Sequence, residues 1–377
     1  MIFKNAHLVS PGFEITEGFL QVENGIILAI GLESEAPESG EVIDLEGRRL
    51  LPGFIDIHCH GADGADVCDA SVKGLQHIAE TKLKEGVTTW LPTTLTQPTE
   101  KLVDVVKTIA EWAPGAPLSV PGCHLEGPYI NRKKAGAQNP EFTRLPDPLE
   151  LRELHDIFPA MILSLAPELP GGLEIIREAR ALGITASAAH SDADFSTISD
   201  AIGFGLTHLT HFGNAMTGLH HREIGMVGAG LFEESLMLEI IADGVHLCDD
   251  MLSLLLKLVP IDRLMLITDS VAASWQKDGE TSLGGLDVII KDGQARLKSN
   301  GSLAGSTLHA NHGLRRLAGL YEGPLSEIVA ASAANQARSL GMRDRGHLEV
   351  GKRADLVVLD DEFEVFQTFV MGVTTGV

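Results

Sequence analysis

Two histidines one residue apart, His58 and His60, are the residues of this sequence best suited to chemistry. They follow an apolar run in the segment LPGFIDIHCHG, which spans residues 51–61. Alternate side chains of a β-strand point to the same side, so two imidazoles with this spacing can bind one metal ion. The alternative is a pair in a solvated turn or at a packed strand end. The pattern makes a metal-dependent hydrolase the leading hypothesis.

Further candidate ligands and a candidate base stand at the ends of later apolar runs. Glu126, in CHLEGPYI, carries a carboxylate that can neutralise part of a divalent cation. Together with His190 and His211 it predicts a three-ligand site with open positions for water or substrate. Asp269, in LITDS, is predicted to act as general base and then as general acid. Taken singly, each has an ordinary explanation, such as a buried histidine or a helix cap. His208 is predicted to face the opposite side of its strand and to be structural.

Two further groups are candidates for substrate contacts. His246, in ADGVHL, is interpreted as another strand-end histidine that can hydrogen-bond an oxyanion or a substrate hydroxyl. The loop after His211 offers the backbone amides of Asn214 and Ala215 and the guanidinium of Arg222. Amides and a rigid cationic fork are directional donors that suit a phosphate.

The elements that must position these residues alternate between strand-like and helical patterns. The apolar spacing over 72–84, for example, predicts a helix. Such alternation indicates βα units around a parallel sheet. Active sites of (β/α)8 barrels lie at the carboxyl ends of the strands, which is where the candidates stand. An open doubly wound sheet is the alternative, but no Gly-rich dinucleotide loop follows the first run. We therefore predict an α/β fold with a (β/α)8 TIM-type barrel. The runs end near His58, Leu95, Glu126, Pro167, His190, His211, His246 and Asp269.

Both ends of the chain resemble short β-strands separated by turns. The segment FLQVENGIILAIG carries a hairpin signal at Asn24-Gly25 between two apolar runs. Neither end is long enough to bury a core alone. We therefore predict that residues 1–52 and 346–377 together form a small β-sandwich domain. The barrel is then expected over residues 53–345, with a β-hairpin insertion near 281–299.

Composition and charge narrow the classes of partner. The chain has 377 residues, which suits one large barrel plus a smaller domain. Its net charge of −23 is spread along the sequence, so nucleic acid and anionic membranes are excluded as expected partners. The four cysteines form no CxxC pair, which suits a reducing compartment. No signal-peptide pattern or apolar run of bilayer length is evident. We expect a cytoplasmic protein, in which any bound phosphate needs a local cationic or amide pocket.

Taken in order, these segments resemble the N-acetylglucosamine-6-phosphate deacetylase family of the amidohydrolase superfamily. The likeness extends to SLAGS at residues 302–306 and to ADLVVLD near the end of the chain. It implies a metal-dependent barrel enzyme with one or two divalent ions per subunit. Zn²⁺ is the first expectation, and Fe²⁺, Mn²⁺, Co²⁺ and Ni²⁺ are alternatives. The resemblance assigns the principal ion to Glu126, His190 and His211, and a second ion to His58 and His60.

The same resemblance implies a reaction and an assembly. The reaction is hydrolysis of the acetamide of an N-acetylated amino sugar 6-phosphate, with Asp269 as the acid–base group. A homodimer is implied because the phosphate loop of this family can serve a neighbouring subunit. The residues that the resemblance assigns to the substrate are His246, Asn214, Ala215, Arg222 and, where a histidine is usual, Gln138.

Two departures from the family pattern leave the sugar open. Gly213 stands where an aromatic residue is usual, and Gln138 replaces a group that can titrate. N-acetylgalactosamine 6-phosphate is therefore an alternative substrate. An amidohydrolase acting on a non-sugar amide is a second alternative, but such enzymes usually carry a lysine on the fourth strand, where this chain has MILSLAPE. A non-catalytic scaffold is a third, and the retention of Glu126 and Asp269 argues against it.

Overall fold

A parallel barrel forms the centre of the protein, whose structure, a computed structural model, describes residues 1–376. Within that range, eight parallel strands each pair with the next along the chain. The first and last of them meet where the Asp269 N–H donates to the His58 carbonyl (2.8 Å). The predicted (β/α)8 barrel is confirmed. Its strands are Phe54–Cys59, Val87–Thr94, Cys123–Glu126, Ala160–Leu165, Thr185–Ala188, Leu206–Leu209, Met237–Ile240 and Leu264–Leu266.

Helices cover the outside of the barrel and connect its strands. The helix predicted over 72–84 is observed at Val72–Leu83, where Leu75 and Ile78 face the core and Ser71 caps the first turn. The α-helices are Val72–Leu83, Thr99–Trp112, Pro148–Ile157, Gly172–Ala181, Phe195–Phe204, Gly225–Phe232, Asp249–Leu258, Ala310–Leu320, Leu325–Ile328 and Ala334–Ser339. Short 3₁₀ turns lie at Glu33–Glu35, Val67–Asp69, Ala113–Gly115, Arg132–Lys134, Ile261–Arg263 and Val329–Ser332.

Both ends of the chain join one further sheet. Arg49–Pro52 pairs antiparallel with Leu356–Leu359 and parallel with Ile2–Ser10, so the sheet is continuous across the two ends. The predicted hairpin at Asn24-Gly25 is present, and both residues have a positive φ. We propose that this sheet is the core of the small domain, with the bounds given above. Its strands are Ile2–Ser10, Phe13–Glu23, Ile26–Leu32, Val42–Asp44, Arg49–Pro52, Leu356–Leu359, Val365–Val370 and Val373–Thr374.

The insertion after the eighth barrel strand is larger than predicted. A hairpin was expected near 281–299, and the structure instead has a three-stranded antiparallel sheet, as counted over the described residues. Its strands are Gly279–Leu283, Leu286–Lys291 and Gln294–Leu297. The third strand is added because Asp292-Gly293 forms a second tight turn with positive φ at both residues. A further pair of two-residue strands, Gly61–Ala62 and Ala65–Asp66, follows the first barrel strand.

A buried lysine connects the first barrel strand with the segment that follows the last one. Lys82 has no exposed surface, and its Nζ lies 2.6 Å from Glu85 Oε2 and 3.1 Å from Asp56 Oδ2. Thr268 Oγ1 donates to the same Asp56 oxygen (2.6 Å). A buried cation with two carboxylate partners is satisfied without water, so it fixes the relative position of these two segments.

Two further expectations concern cysteines and membrane spans. Cys59 and Cys123 are fully buried, as expected of small hydrophobic side chains, whereas Cys248 is exposed. Over residues 1–376, no helix combines the length and the apolar character that a membrane span requires.

Candidate active site

The barrel brings the predicted ligands together at the carboxyl ends of its strands. His58 and Glu126 lie within the first and third strands, and His60 follows the first directly. His190 and His211 each lie two residues beyond their strands, in the loops that follow. None of these five residues is more than 7% exposed. Such desolvated polar groups require partners, which they find in one another.

Glu126, His190 and His211 form a compact cluster, here called the three-ligand group. His211 Nε2 lies 3.0 Å from Glu126 Oε1, and His190 Nε2 lies 3.3 Å from the same oxygen. The two Nε2 atoms are 3.2 Å apart. The three ligand atoms, one from each residue, all lie within 4.8 Å of one another and therefore surround a common centre.

His58, His60 and Glu126 form a second cluster, here called the paired-histidine group. The Nε2 atoms of His58 and His60 are 3.2 Å apart. His58 Nε2 lies 3.5 Å from Glu126 Oε1, and His60 Nε2 lies 3.2 Å from Glu126 Oε2. Glu126 thus belongs to both groups. Asp269 Oδ1 is 3.4 Å from His58 Nε2 and 3.3 Å from His60 Nε2, which places it at the open side of this group.

The hydrogen bonds at Nδ1 of these rings determine which ring nitrogen is available as a metal ligand. His60 Nδ1 donates to the Thr93 carbonyl (3.1 Å) and His190 Nδ1 to the Lys134 carbonyl (2.8 Å). Because a carbonyl oxygen only accepts, both rings carry a proton at Nδ1, and the neutral ring presents a lone pair at Nε2. Lone pairs that converge within 3.2 Å repel unless a cation lies among them. The donor set of imidazole nitrogens and a carboxylate therefore fits a divalent metal ion.

The electrostatics of the cluster also favour positive charge at its centre. Burial lowers the pKa of His60, but its hydrogen bonds to Asp269 and Glu126 raise the pKa to about 9. Burial raises the pKa of Asp269, but the positive charge of His58 and the hydrogen bond from His60 lower that pKa to about 2. Positive charge at the centre of the cluster, from protonated histidines or from a metal ion, therefore favours the ionised form of Asp269, which is the form that a general base requires.

Three of these residues have a left-handed backbone conformation. The φ angles are 48° at His190, 33° at His211 and 48° at Asp269. A residue with a Cβ adopts this region at a cost of about 1–2 kcal/mol. Surrounding hydrogen bonds hold it in place, such as those from Asn131 N to the His190 carbonyl (2.9 Å) and from Ser306 N to the Asp269 carbonyl (2.8 Å). With this backbone conformation the three side chains lie in the cluster although each strand has already ended.

A cavity of about 520 Å³ opens in front of the two groups. His246 lines it, and its Nδ1 lies 2.7 Å from Asp243 Oδ2. The interpretation of His246 as a strand-end histidine is wrong, because it lies six residues beyond Met237–Ile240, in a loop that returns to the cavity. An adjoining cavity of about 570 Å³ also includes His246 in its wall.

The predicted phosphate donors are only partly brought together. Asn214 and Ala215 line the cavity, but the Asn214 N–H donates to the His211 carbonyl (3.0 Å) and is engaged there. Arg222 is exposed, lies outside the residues that line this cavity, and has its Nη1 2.8 Å from His221 Nε2. Within one described chain, the guanidinium therefore does not reach the site.

Gln138 lines the cavity and also contacts a ligand. Its Nε2 donates to Glu126 Oε2, and its Oε1 accepts from the Thr96 N–H (2.6 Å). The backbone of Thr96 thus fixes the orientation of the amide group. Both the nitrogen and the oxygen of the side-chain amide are hydrogen-bonded within the protein, which the sequence alone did not indicate.

Three contributors to the site were missed by sequence reasoning. Glu239 is fully buried and its Oε2 lies 3.2 Å from His58 Nδ1. A lone carboxylate within the apolar run LMLEII is the same signal that identified Asp269, and could have found it. Lys133 and Lys134 line the cavity from a loop with no pattern of its own.

Comparison with known proteins assigns the class. Residues 49–375 match the model of the amidohydrolase family. The chain therefore belongs to the amidohydrolase family. It is 36% identical to N-acetylglucosamine-6-phosphate deacetylase of Bacillus subtilis (strain 168), over 99% of this chain and 96% of that protein. It is 37% identical to N-acetylgalactosamine-6-phosphate deacetylase of Escherichia coli O157:H7, over 94% and 93% respectively.

A solved structure supports the same relationship. N-acetyl-D-glucosamine-6-phosphate deacetylase from Mycobacterium smegmatis, a mutant in complex with N-acetyl-D-glucosamine 6-phosphate, superposes with a TM-score of 0.94 at 30% identity. The match covers 100% of this chain and 99% of that one. Fold and connectivity are therefore shared along the whole length.

Proposed function

We propose that this protein is a metal-dependent deacetylase of N-acetylated amino sugar 6-phosphates, with N-acetylglucosamine 6-phosphate as the first expected substrate. The products are acetate and the amino sugar 6-phosphate. The observation that carries the proposal is the position of Asp269. Its carboxylate lies beside the paired-histidine group, 3.4 Å from His58 Nε2 and 3.3 Å from His60 Nε2, at the wall of the cavity of about 520 Å³. Two relatives of this chain are named N-acetylglucosamine-6-phosphate deacetylase and N-acetylgalactosamine-6-phosphate deacetylase.

The proposed ligands are Glu126, His190 and His211 for a principal ion, and His58, His60 and Glu126 for a second. We expect one or two ions per subunit, with Zn²⁺ first and Fe²⁺, Mn²⁺, Co²⁺ or Ni²⁺ as alternatives. A divalent ion in this position polarises an amide carbonyl and lowers the pKa of water.

The residues of the chain then manage the proton. Asp269 accepts a proton from the attacking water as the new C–O bond forms at the acetyl carbon. It returns that proton to the amide nitrogen as the C–N bond breaks, so the amine leaves neutral. His246, whose Nδ1 is held by Asp243, leaves Nε2 to hydrogen-bond the substrate.

Several chain segments are proposed to bind the phosphate. Ala215 supplies a backbone amide, and Asn214 supplies its own if it exchanges its present partner. Lys134 supplies a cation from the same chain, because its Nζ lies 3.5 Å from the carbonyl of Met216, next to Ala215. Arg222 lies outside this cavity, so we propose that it serves the site of a second copy in a homodimer.

The sugar and the location of the protein are also proposals. Gln138 leaves the epimer open, and the 37% identical relative supports N-acetylgalactosamine 6-phosphate as the alternative substrate. A non-sugar amide remains the second alternative. We propose a cytoplasmic location, which suits a phosphorylated substrate and unpaired cysteines.

The test is acetate release by metal-loaded protein from three compounds. These are N-acetylglucosamine 6-phosphate, N-acetylgalactosamine 6-phosphate and unphosphorylated N-acetylglucosamine. Asp269→Asn is expected to lower kcat by about 10²–10⁴-fold, whereas Asp278→Asn at an exposed position is expected to match the wild type. If the protein turns over neither phosphorylated sugar, the proposal is overturned and another amide is favoured as the substrate.

A further inference from the structure

Glu239 is a buried carboxyl group that the proposed reaction does not use. It lies in the seventh barrel strand, Met237–Ile240, between apolar neighbours, and has no exposed surface. A carboxylate in such surroundings is costly unless hydrogen bonds or opposite charges compensate it. Its partners therefore indicate why the chain keeps it.

One oxygen of Glu239 has a partner and the other does not. Oε2 lies 3.2 Å from Nδ1 of His58. Oε1 is buried and, among the described residues, has no hydrogen-bond partner. Buried polar atoms are rarely left unpaired, so a donor is expected for this oxygen.

His211 also has a buried polar atom without a partner. Its Nδ1 is also buried and has no hydrogen-bond partner within the described part of the chain. Glu239 lies in the seventh barrel strand, and His211 follows the sixth, which pairs with it. The N–H of Phe212 donates to the Glu239 carbonyl (2.7 Å). The ring of His58, which contacts Glu239, and the ring of His211 have centroids 5.7 Å apart. An unpaired acceptor and an unpaired donor thus lie in the same interior.

We propose that Glu239 is a positioning residue for both metal-ligand groups. Oε2 holds the Nδ1–H of His58 in the paired-histidine group. Oε1, which does not contact His211 in this structure, would accept from the Nδ1–H of His211 when the three-ligand group holds a metal ion. A carboxylate at the outer nitrogen fixes the tautomer and makes the inner Nε2 a better ligand. This inference rests on the metal site of the proposed function, but not on the sugar substrate.

The test measures metal affinity without substrate. Full-length protein loaded with Zn²⁺ is titrated with a fluorescent chelator of known affinity, for the wild type and Glu239→Gln. Removing an outer partner of this kind typically costs about 10–100-fold in metal affinity, and we expect that loss. Ser187→Ala is the matched control, because it removes a buried barrel hydroxyl that is bonded to Thr210 (2.5 Å). Equal affinities for the wild type and Glu239→Gln would overturn the proposal.

A second background separates the two halves of the proposal. In His58→Asn protein only the three-ligand group remains intact. Adding Glu239→Gln there is expected to weaken Zn²⁺ binding by a further factor of about 10. No further loss would mean that Glu239 serves His58 alone, which overturns the proposed link to His211.

The proposal remains testable if one of the variants does not fold. If circular dichroism shows that Glu239→Gln is unfolded, the same titrations use Glu239→Asp, which keeps the charge and retracts it by one methylene. We expect weaker binding in both backgrounds, and unchanged binding would again overturn the proposal. Because no sugar is present, failure of the proposed deacetylase activity leaves this measurement unaffected.

Discussion

The side-chain amide of Gln138 is hydrogen-bonded to Oε2 of Glu126, the carboxylate that both metal-ligand groups share. The other end of the amide accepts from the backbone N–H of Thr96 (2.6 Å). Gln138 therefore sets the rotation of the carboxylate about its own axis. A residue that differs from the usual histidine of the family therefore contacts the proposed metal site directly.

Gln138→Ala is expected to destabilise the protein by about 1–3 kcal/mol, because it leaves the buried Thr96 N–H and one oxygen of Glu126 without this partner. The free energy of unfolding in urea measures the effect. Gln138→Glu serves as the contrast, since it places two carboxylates face to face and is expected to cost more at pH 7 than Gln138→Ala. Wild-type stability in both variants would show that the contact contributes nothing.

Lys134→Gln is expected to raise KM for the phosphorylated sugar by about 10–100-fold, the value of a charge-assisted hydrogen bond. The backbone carbonyl that holds His190 is retained, so metal content is expected to stay unchanged. Steady-state kinetics with phosphorylated and unphosphorylated N-acetylglucosamine separates the two effects. Lys73→Gln, at an exposed helix position, is the control. Equal losses on both sugars would assign Lys134 to something other than the phosphate.

His208 is expected to make stability depend on pH. Burial lowers its pKa to about 3, below the value of 6.5 for an exposed histidine. Between these values the unfolded chain binds the proton and the folded chain does not, so stability is lost as the pH falls below 6.5. The loss between pH 7 and pH 5 amounts to about 2 kcal/mol.

The comparison is with His208→Gln, which keeps a polar side chain beside Ser339 but does not titrate. Urea unfolding is measured for both proteins at pH 7 and pH 5, so that all other titrating groups cancel. We expect the wild type to lose about 2 kcal/mol more than the variant. A constant difference between the two proteins would contradict the prediction.

Lys82→Met is expected to destabilise the protein by about 3–5 kcal/mol, because it leaves Asp56 and Glu85 as buried charges without their cation. Denaturant unfolding measures this loss. Lys84→Met, two residues away and exposed, is the matched control and is expected to change stability by less than about 0.5 kcal/mol. Similar values for the two variants would refute the role of the buried network.

Periodic patterns predicted the barrel and the pairing of the chain ends because both depend on apolar spacing. Apolar spacing did not predict the residues whose position depends on loop geometry. His246 lies in a loop that returns to the cavity, and such a path has no periodic signal. The inward turns at His190 and Asp269 depend on a left-handed backbone that the sequence does not mark with glycine. Glu239 was missed because the end of its strand was predicted near His246, whereas the strand ends at Ile240.

The sheet that joins the two chain ends has a consequence for synthesis on the ribosome. Arg49–Pro52 leaves the ribosome early, but its partner Leu356–Leu359 follows about 300 residues later. At about 5–20 residues per second, this strand waits at least about 15 s for its partner. During that interval one edge of the nascent sheet is open to other chains. Its yield in cells is therefore expected to respond to chaperones that shield exposed strand edges.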